Sequence, residues 1–167
     1  MITPDEIKAL LNLRPLPLEG GYFAETYRSC RLIPENVLPD GYSGDRPLAT
    51  AIYYLLTPDT FSAFHRLKSD EIYHFYLGDP VQMVLLYQDG STNTLTIGPS
   101  ILQNMELQVF VSAGVWQGSR VIPGGSYALL GTTMAPGFDP ADYEQGRREE
   151  LIRRYPNARD LIISLTR

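Results

Sequence analysis

Residues 61–78, FSAFHRLKSDEIYHFYLG, contain two short β-rich runs separated by the polar turn KSDE. Aromatic and aliphatic side chains suit a pleated sheet, so each run is predicted to be a strand. Because successive side chains of a strand point to opposite faces, His74 lies on the face opposite to Glu71. His65 and Glu71 belong to different strands, and we predict that these two side chains enter a common interior.

Similar short runs continue on both sides of this stretch. Turn residues separate them, and the Asp89-Gly90 pair between two apolar runs is typical of a β-hairpin. Many short strands at regular spacing favour a sandwich or a closed barrel over alternating strands and helices. The predicted strands are 22–28, 49–56, 61–67, 72–77, 81–87, 92–97, 107–111, 115–121 and 127–134.

A short helix is predicted near the start of the chain. Thr3 and Glu6 have the spacing of a capping box, and Pro4 occupies the first helical position, which predicts a helix over residues 4–12. Residues 33–47 are rich in proline and glycine and predict a long loop. Loops of this length in a compact domain are usually functional or mobile.

A second helix is predicted near the end of the chain. Asp139 is a candidate cap for a helix that starts at Pro140 and ends before Pro156. A last short turn is expected over residues 157–162. No linker or low-complexity tract interrupts the sequence, so residues 1–167 are predicted to form a single domain.

The composition excludes several classes of function. The 167 residues carry a formal net charge of −5 and no run rich in lysine or arginine, which argues against a nucleic-acid partner. Cys30 is the only cysteine, so neither an internal disulfide nor a cysteine-based metal site is expected. No segment has the length of a membrane span or the pattern of a signal peptide, so we expect no membrane partner and a cytoplasmic location.

The chemistry of the chain centres on its two histidines, His65 and His74. Imidazole and carboxylate are common metal ligands and a common acid/base pair, and Glu71 lies between the histidines. The residues alone leave a second interpretation open. His65 precedes Arg66 and is compatible with a surface position, and His74 is compatible with a hydrogen-bonded core position.

The same stretch resembles the first cupin motif, in which a His-x-His pair precedes a glutamate and a glycine. His65, Glu71 and Gly78 match that motif, and Leu67 occupies the place of the second histidine. Residues 112–117, SAGVWQ, are similar to the second motif, with Gln117 in place of its histidine. The fuller pattern resembles the cupin-5 family, also called DUF985, in the segments EGGYF (19–23), FHRLKSDEIYHF (64–75), AGVW (113–116), APGF (135–138) and LTR (165–167).

This resemblance implies a mainly β, jelly-roll barrel of the double-stranded β-helix type, with short helices at both ends. It also implies a homodimer and a pocket similar to that of sugar-nucleotide epimerases. A metal-binding cupin uses three histidines and a glutamate. Since leucine has no lone pair and a glutamine carbonyl is a weak ligand, we expect no metal and no cofactor at His65 and Glu71.

Further residues are candidates for binding a small molecule. Trp116 and Phe138 are candidate walls, with core packing as the alternative, and Gln117 and Gln108 are candidate orienting groups. Tyr127 or Tyr76 is a candidate acid opposite His65. Arg28 is a candidate anion ligand, and an ion pair with Glu25 or Glu19 is the alternative.

Three functions follow from this site. The first is an isomerase or epimerase that acts on a sugar-like or carbonyl-bearing metabolite, with His65 as acid/base beside Glu71. The second is a non-catalytic module that senses or stores a metabolite. The third, a metal-dependent oxygenase, requires the ligands that the chain lacks.

Overall fold

The computed structural model describes residues 2–167 and consists mainly of short antiparallel strands. The strands are β1 (Arg14–Pro15), β2 (Tyr22–Arg28), β3 (Leu32–Ile33), β4 (Arg46–Pro47), β5 (Thr50–Leu56), β6 (Ser62–Leu67), β7 (Asp70–Gly78), β8 (Val81–Leu86), β9 (Thr92–Ile97), β10 (Gln108–Val111), β11 (Trp116–Val121), β12 (Ala128–Ala135) and β13 (Tyr143–Gln145). The helices are α1 (Pro4–Leu10), α2 (Arg148–Arg154) and α3 (Arg159–Ser164). The strand predictions and the mainly β class are confirmed.

Two large antiparallel sheets organise these strands. The first has the order β1-β2-β5-β12-β7-β10, and the second has the order β13-β6-β11-β8-β9. Side chains from both sheets form one buried apolar cluster, which includes Tyr54 and Tyr73 of the first sheet and Met83 and Val121 of the second. The sheets are separate, so they form the two layers of a jelly roll and not one continuous closed sheet.

The predicted hairpin at Asp89-Gly90 joins β8 to β9. Gly90 has a φ of +89°, and the amide of Tyr87 donates to the carbonyl of Ser91 over 2.9 Å. β8 and β9 then pair in register from Leu86 opposite Thr92 to Val81 opposite Ile97.

The helix at the start of the chain has the predicted capping box between Thr3 and Glu6. It ends at Leu10, two residues before the predicted end at residue 12. Its buried Ile7 packs against Leu55 and Leu129 on the outer face of the first sheet. The helix therefore covers part of that face.

The helix predicted from Pro140 is corrected by the structure. Residues Pro140–Asp142 form one 3-10 turn, the chain then adds β13 to the edge of β6, and α2 begins only at Arg148. The physical reason is the open edge of β6, whose peptide groups gain partners when Tyr143 and Gln145 pair with Leu67 and His65. α2 and α3 then pack on the outer face of the second sheet.

The loop predicted over residues 33–47 is long but not free of structure. It contains a 3-10 turn at Glu35–Val37, and β4 pairs with β3. Arg46 is buried and forms a two-pronged ion pair with buried Asp142, at 2.6 and 2.8 Å. This pair holds the loop against the chain that leads into β13.

Among the helices of residues 2–167, none combines the length and the apolar character that crossing a bilayer requires.

Candidate functional site

His65 and Glu71 meet in the interior, as predicted. His65 on β6 is 1% exposed and Glu71 on β7 is 6% exposed. Gln117 on β11 stands opposite His65 in register, and its Nε2 donates a hydrogen bond of 2.8 Å to Glu71 Oε2. Gln117 therefore links the two strands that carry the predicted acid/base residues.

A second carboxylate, Glu19, completes this group. Glu19 Oε2 lies 3.8 Å from His65 Nε2, and Ser62 Oγ donates 2.8 Å to Glu19 Oε1. The sequence reasoning assigned Glu19 no role in the site. The signal that could have found it is the EGGYF segment, because a glutamate in front of two glycines is an unusual way to enter a strand.

The Gly20-Gly21 turn fixes the position of Glu19. Gly20 has a φ of +103°, and a Cβ there would collide with the carbonyl oxygen of Phe61. Tyr54 Oη donates 2.9 Å to the carbonyl of Gly20, and the amide of Ala63 donates 2.8 Å to the carbonyl of Glu19. The turn therefore holds Glu19 beside β6.

The hydrogen bonds of His65 determine which nitrogen faces Glu19. Nδ1 lies 2.9 Å from the carbonyl oxygen of Ala63, an acceptor, so Nδ1 carries the proton in the neutral ring. Nε2 then holds the lone pair and faces Glu19. The ring of Tyr143 stacks on His65 at 5.3 Å between centroids, and burial raises the pKa of Tyr143 well above its ordinary value.

Glu71 is poised to hold a proton. Burial raises the pKa of this carboxyl, and the charge of Glu19 raises the pKa further, against the lowering effects of His65, Thr132 and Gln117. Two carboxylates near one imidazole cannot all be charged without cost, and the more buried one is the better candidate for the protonated form.

A small cavity of about 70 Å³ lies next to this group. Glu19 and Glu71 form part of its wall, and His65 and Gln117 reach the cavity through contacts with these two carboxylates. The cavity is lined by Leu16, Glu19, Phe23, Glu25, Thr50, Ala51, Ile52, Leu67, Glu71, Thr132, Met134 and Phe138.

A larger apolar groove of about 500 Å³ lies elsewhere, between α1 and the outer face of the first sheet. Its lining includes Ile7, Leu10, Tyr53 and Tyr76 but no carboxylate and no imidazole. The groove is larger than the interior cavity but offers no acid/base group of this kind. Since acid/base chemistry needs groups that exchange protons near neutral pH, we assign the functional site to the interior cavity.

The other predicted site residues are divided between the interior and the surface. Phe138 lines the cavity, and Gln117 contacts Glu71. Trp116 alternates with Gln117 along β11 and packs outside the sheet with Phe64 and Leu151, so its predicted place in the pocket wall is corrected.

Gln108, Tyr127 and Tyr76 are likewise outside the interior. Gln108 is exposed and donates 3.1 Å to His74 Nδ1. Tyr127 packs against the cluster around α1, and Tyr76 is exposed on the outer face of β7. These side chains do not meet His65, because β10 and β7 direct Gln108 and Tyr76 outward and Tyr127 precedes β12 on the side of α1.

Arg28 forms the ion pair that was the alternative interpretation. Its guanidinium donates to both oxygens of Glu25, at 2.7 to 3.1 Å, and to the carbonyl oxygen of Phe138 at 3.1 Å. Both partners border the cavity, so Arg28 lies near its edge with its hydrogen-bonding capacity already engaged.

The residues present do not fit a metal ion of the kind that cupins bind. Leu67 offers no lone pair, and Gln117 turns its proton-bearing Nε2 toward Glu71. Within residues 2–167, no group of three or more histidine, cysteine, aspartate or glutamate side chains has an arrangement that could hold an ion. Leu67 and Gln117 thus do not supply the two further imidazole ligands of a metal-binding cupin site.

Comparison with known proteins identifies the family. A family model described as Cupin superfamily (DUF985) matches residues 5–146. The chain belongs to this Cupin_5 family. A curated relative, the uncharacterized protein YML079W of Saccharomyces cerevisiae, is 34% identical over 144 residues, which cover 81% of this chain and 71% of that protein.

Solved structures agree with this membership. A hypothetical protein from Leishmania major has a TM-score of 0.90 and 29% identity, with 99% of both chains covered. Protein SO0799 from Shewanella oneidensis has a TM-score of 0.86 and 29% identity, with 100% of this chain and 99% of that chain covered. A dTDP sugar isomerase from Desulfovibrio desulfuricans shares the fold alone, at a TM-score of 0.52 and 15% identity over 81% of this chain and 80% of its own.

Proposed function

We propose that this cupin binds a small carbonyl-bearing or sugar-like metabolite in the interior cavity and moves a proton within it, as an isomerase or epimerase does. The observation that supports this function is the contact between His65 Nε2 and Glu19 Oε2 at the cavity wall, with Glu71 beside them. A base, a proton-holding acid and a closed apolar surrounding are the parts that such a reaction requires.

The proposed reaction needs no further reactant. Glu19 accepts a proton from the carbon next to the carbonyl, and the Nε2 lone pair of His65 lies where it can take that proton on from Glu19. Glu71, in its protonated form, donates its proton to the carbonyl oxygen, which gives an enol. Glu19 then returns its proton to the former carbonyl carbon while the ionised Glu71 removes the proton from the hydroxyl group of the neighbouring carbon, which completes an isomerisation.

Hydrogen exchange with solvent tests this mechanism directly. We expect the protein to catalyse deuterium incorporation into hydroxyacetone or dihydroxyacetone in D₂O, measured by proton NMR. Glu19→Gln should slow this exchange by about 10²–10⁴-fold, the usual contribution of a positioned general base. Glu149→Gln removes an exposed carboxylate on α2 and serves as the matched control, with an unchanged rate.

A non-catalytic binding module is the second candidate. The observation in its favour is the cavity volume of about 70 Å³, which leaves little room for a substrate to change shape. Native mass spectrometry of the purified protein separates the two functions. A co-purified ligand that stays chemically unchanged on incubation, together with no exchange in the two ketones, supports binding and excludes the proposed catalysis.

A further inference from the structure

The cavity wall is acidic and carries no positive group. Glu19, Glu25 and Glu71 all contribute to it, and the described residues of the lining include no lysine, arginine or histidine. A buried anion in such a cavity would face carboxylates without a compensating charge. The lining therefore disfavours a ligand with a phosphate or carboxylate group inside the cavity.

The nearest cation, Arg28, does not reverse this charge. Its guanidinium is engaged by both oxygens of Glu25 and by the carbonyl of Phe138. An anionic ligand would compete with the carboxylate of Glu25 for Arg28. Arg28 therefore neutralises the edge of the cavity and leaves the inner carboxylates without a cationic partner.

Hydrogen-bond acceptors also exceed donors at the inner end. Glu19 Oε2 is 3.8 Å from His65 Nε2, which is beyond hydrogen-bond distance. Gln117 is 2% exposed. Its amide nitrogen donates a hydrogen bond to Glu71, and its Oε1 is buried without a hydrogen-bond partner. Gln117 lies behind Glu71 and not in the cavity wall, so the inner acceptors that a ligand meets are the oxygens of Glu19 and Glu71, which favour a ligand that donates.

Apart from Thr50 and Thr132, the remaining wall is apolar and includes two aromatic rings. Phe23 and Phe138 line the cavity together with Ile52 and Met134. Aromatic rings attract a cation in addition to burying an alkyl chain. The volume of about 70 Å³ is roughly half that of a cavity of about 150 Å³ that admits benzene, so it accepts a group of only a few non-hydrogen atoms.

We propose that the interior cavity binds a small primary or secondary organic ammonium ion, whose N–H groups donate to Glu19 and Glu71 and whose alkyl part packs on Phe23 and Phe138. This inference rests on the proposed function, since it assigns the ligand class of the same site. A carbonyl-bearing substrate would then carry an amino group. A protonated Glu71 still accepts a hydrogen bond at its carbonyl oxygen, so the ammonium ligand is compatible with the acid role proposed for Glu71.

Three probes of one size test the ligand class. Propylammonium, 1-propanol and propionate are compared with the purified full chain at equal ionic strength, by thermal shift and by saturation-transfer NMR. We expect propylammonium to bind about tenfold or more tightly than 1-propanol, because charge-assisted hydrogen bonds are the strong ones. Propionate should show no binding. Equal binding of propylammonium and 1-propanol, or a preference for propionate, would overturn the proposal.

Variants distinguish binding of propylammonium in the cavity from its general attraction to the acidic surface. Glu19→Gln and Phe138→Leu should each weaken propylammonium binding several-fold, and the second variant keeps the test open if the first fails to fold. Glu149→Gln lowers the surface charge equally and should bind propylammonium as the parent does. An equal loss in Glu149→Gln would mean that the ammonium ion is attracted only by net charge, and the proposal would be wrong.

The two proposals can fail separately. Propylammonium binding is measured without turnover, so binding without deuterium exchange into the ketones retains the ligand class and rejects the catalysis. Exchange into the ketones without propylammonium binding retains the catalysis and rejects the ammonium ligand.

Discussion

The two histidines of this chain lie nine positions apart and occupy opposite kinds of environment. His65 is buried between the sheets, and its Nε2 faces the carboxylate of Glu19. His74 is half-buried on the outer face of β7, where Gln108 donates to its Nδ1 and Thr133 Oγ1 lies 3.2 Å from its Nε2. Both nitrogens of His74 thus have neutral partners, whereas one nitrogen of His65 faces a carboxylate that lines the cavity.

This difference shows how little residue type says about function by itself. Each histidine is near a tyrosine ring, Tyr143 for His65 and Tyr76 for His74, and each follows a similar run of aromatic residues. What distinguishes them is the side of the sheet. Strand alternation sends Glu71 inward and His74 outward, and Glu19 arrives at His65 through the tertiary fold.

The largest effect should come from removing each histidine in turn. His65→Ala should reduce the deuterium exchange into hydroxyacetone by about 10²–10⁴-fold, because it removes the partner of Glu19. His74→Ala should leave the rate within about twofold of the parent, because its neutral contacts lie outside the interior. Similar rates in both variants would contradict the assignment of function to the interior.

Most of the fold followed from periodicity and turn residues. The β8–β9 hairpin was predicted from Asp89-Gly90, and the capping box of α1 was predicted from Thr3 and Glu6. Strand alternation also predicts the outward position of Trp116. Trp116 and Gln117 are adjacent on one strand, so their side chains must face opposite sides of the sheet. That signal was present in the sequence and was not applied.

Glu19 and β13 depended on contacts that local sequence does not encode. The cap signal of Asp139 is real, and its side chain accepts from the amide of Ala141, but the turn it caps ends at Asp142. The open edge of β6 then captures residues 143–145 as a strand. Tyr143 consequently stacks on His65, a contact that no local pattern predicts.

A large loss of stability is expected from breaking the ion pair that leads into β13. Arg46 and Asp142 are 2% and 1% exposed at their side chains. Arg46→Met leaves the buried carboxylate of Asp142 with only the more distant ammonium group of Lys68, at 3.6 Å, so the free energy of unfolding should fall by up to about 3–5 kcal/mol. Arg66→Met, which breaks the exposed pair with Glu144, is the matched comparison and should cost about 0–1 kcal/mol. Urea denaturation measures both.

A smaller effect is expected from the two tyrosines that lie beside the histidines. Tyr143 Oη is buried and has no hydrogen-bond partner, so Tyr143→Phe should raise the free energy of unfolding by about 1 kcal/mol. Tyr76 is exposed, and Tyr76→Phe should change the free energy of unfolding by less than about 0.5 kcal/mol. A destabilised Tyr143→Phe variant would show that the hydroxyl has a partner, such as a bound ligand. Thermal or urea unfolding distinguishes these outcomes.

The smallest effect should appear in the pH dependence of stability. Burial raises the pKa of Glu71 above its ordinary value of 4.5, so the folded state holds this proton at a pH where the unfolded state has released it. The folded state therefore binds more protons in this window, and stability must fall as the pH rises from 4.5 through the folded pKa.

Glu71→Gln keeps an acceptor for Gln117 but cannot ionise, so its stability should fall less over the same window. Urea unfolding at a series of pH values measures the slope, with Glu149→Gln as the control that keeps the parent's behaviour. If the free energy of unfolding of Glu71→Gln depended on pH as strongly as that of the parent, another group would be responsible for the titration. Glu71 would then lack the proton that the proposed reaction requires.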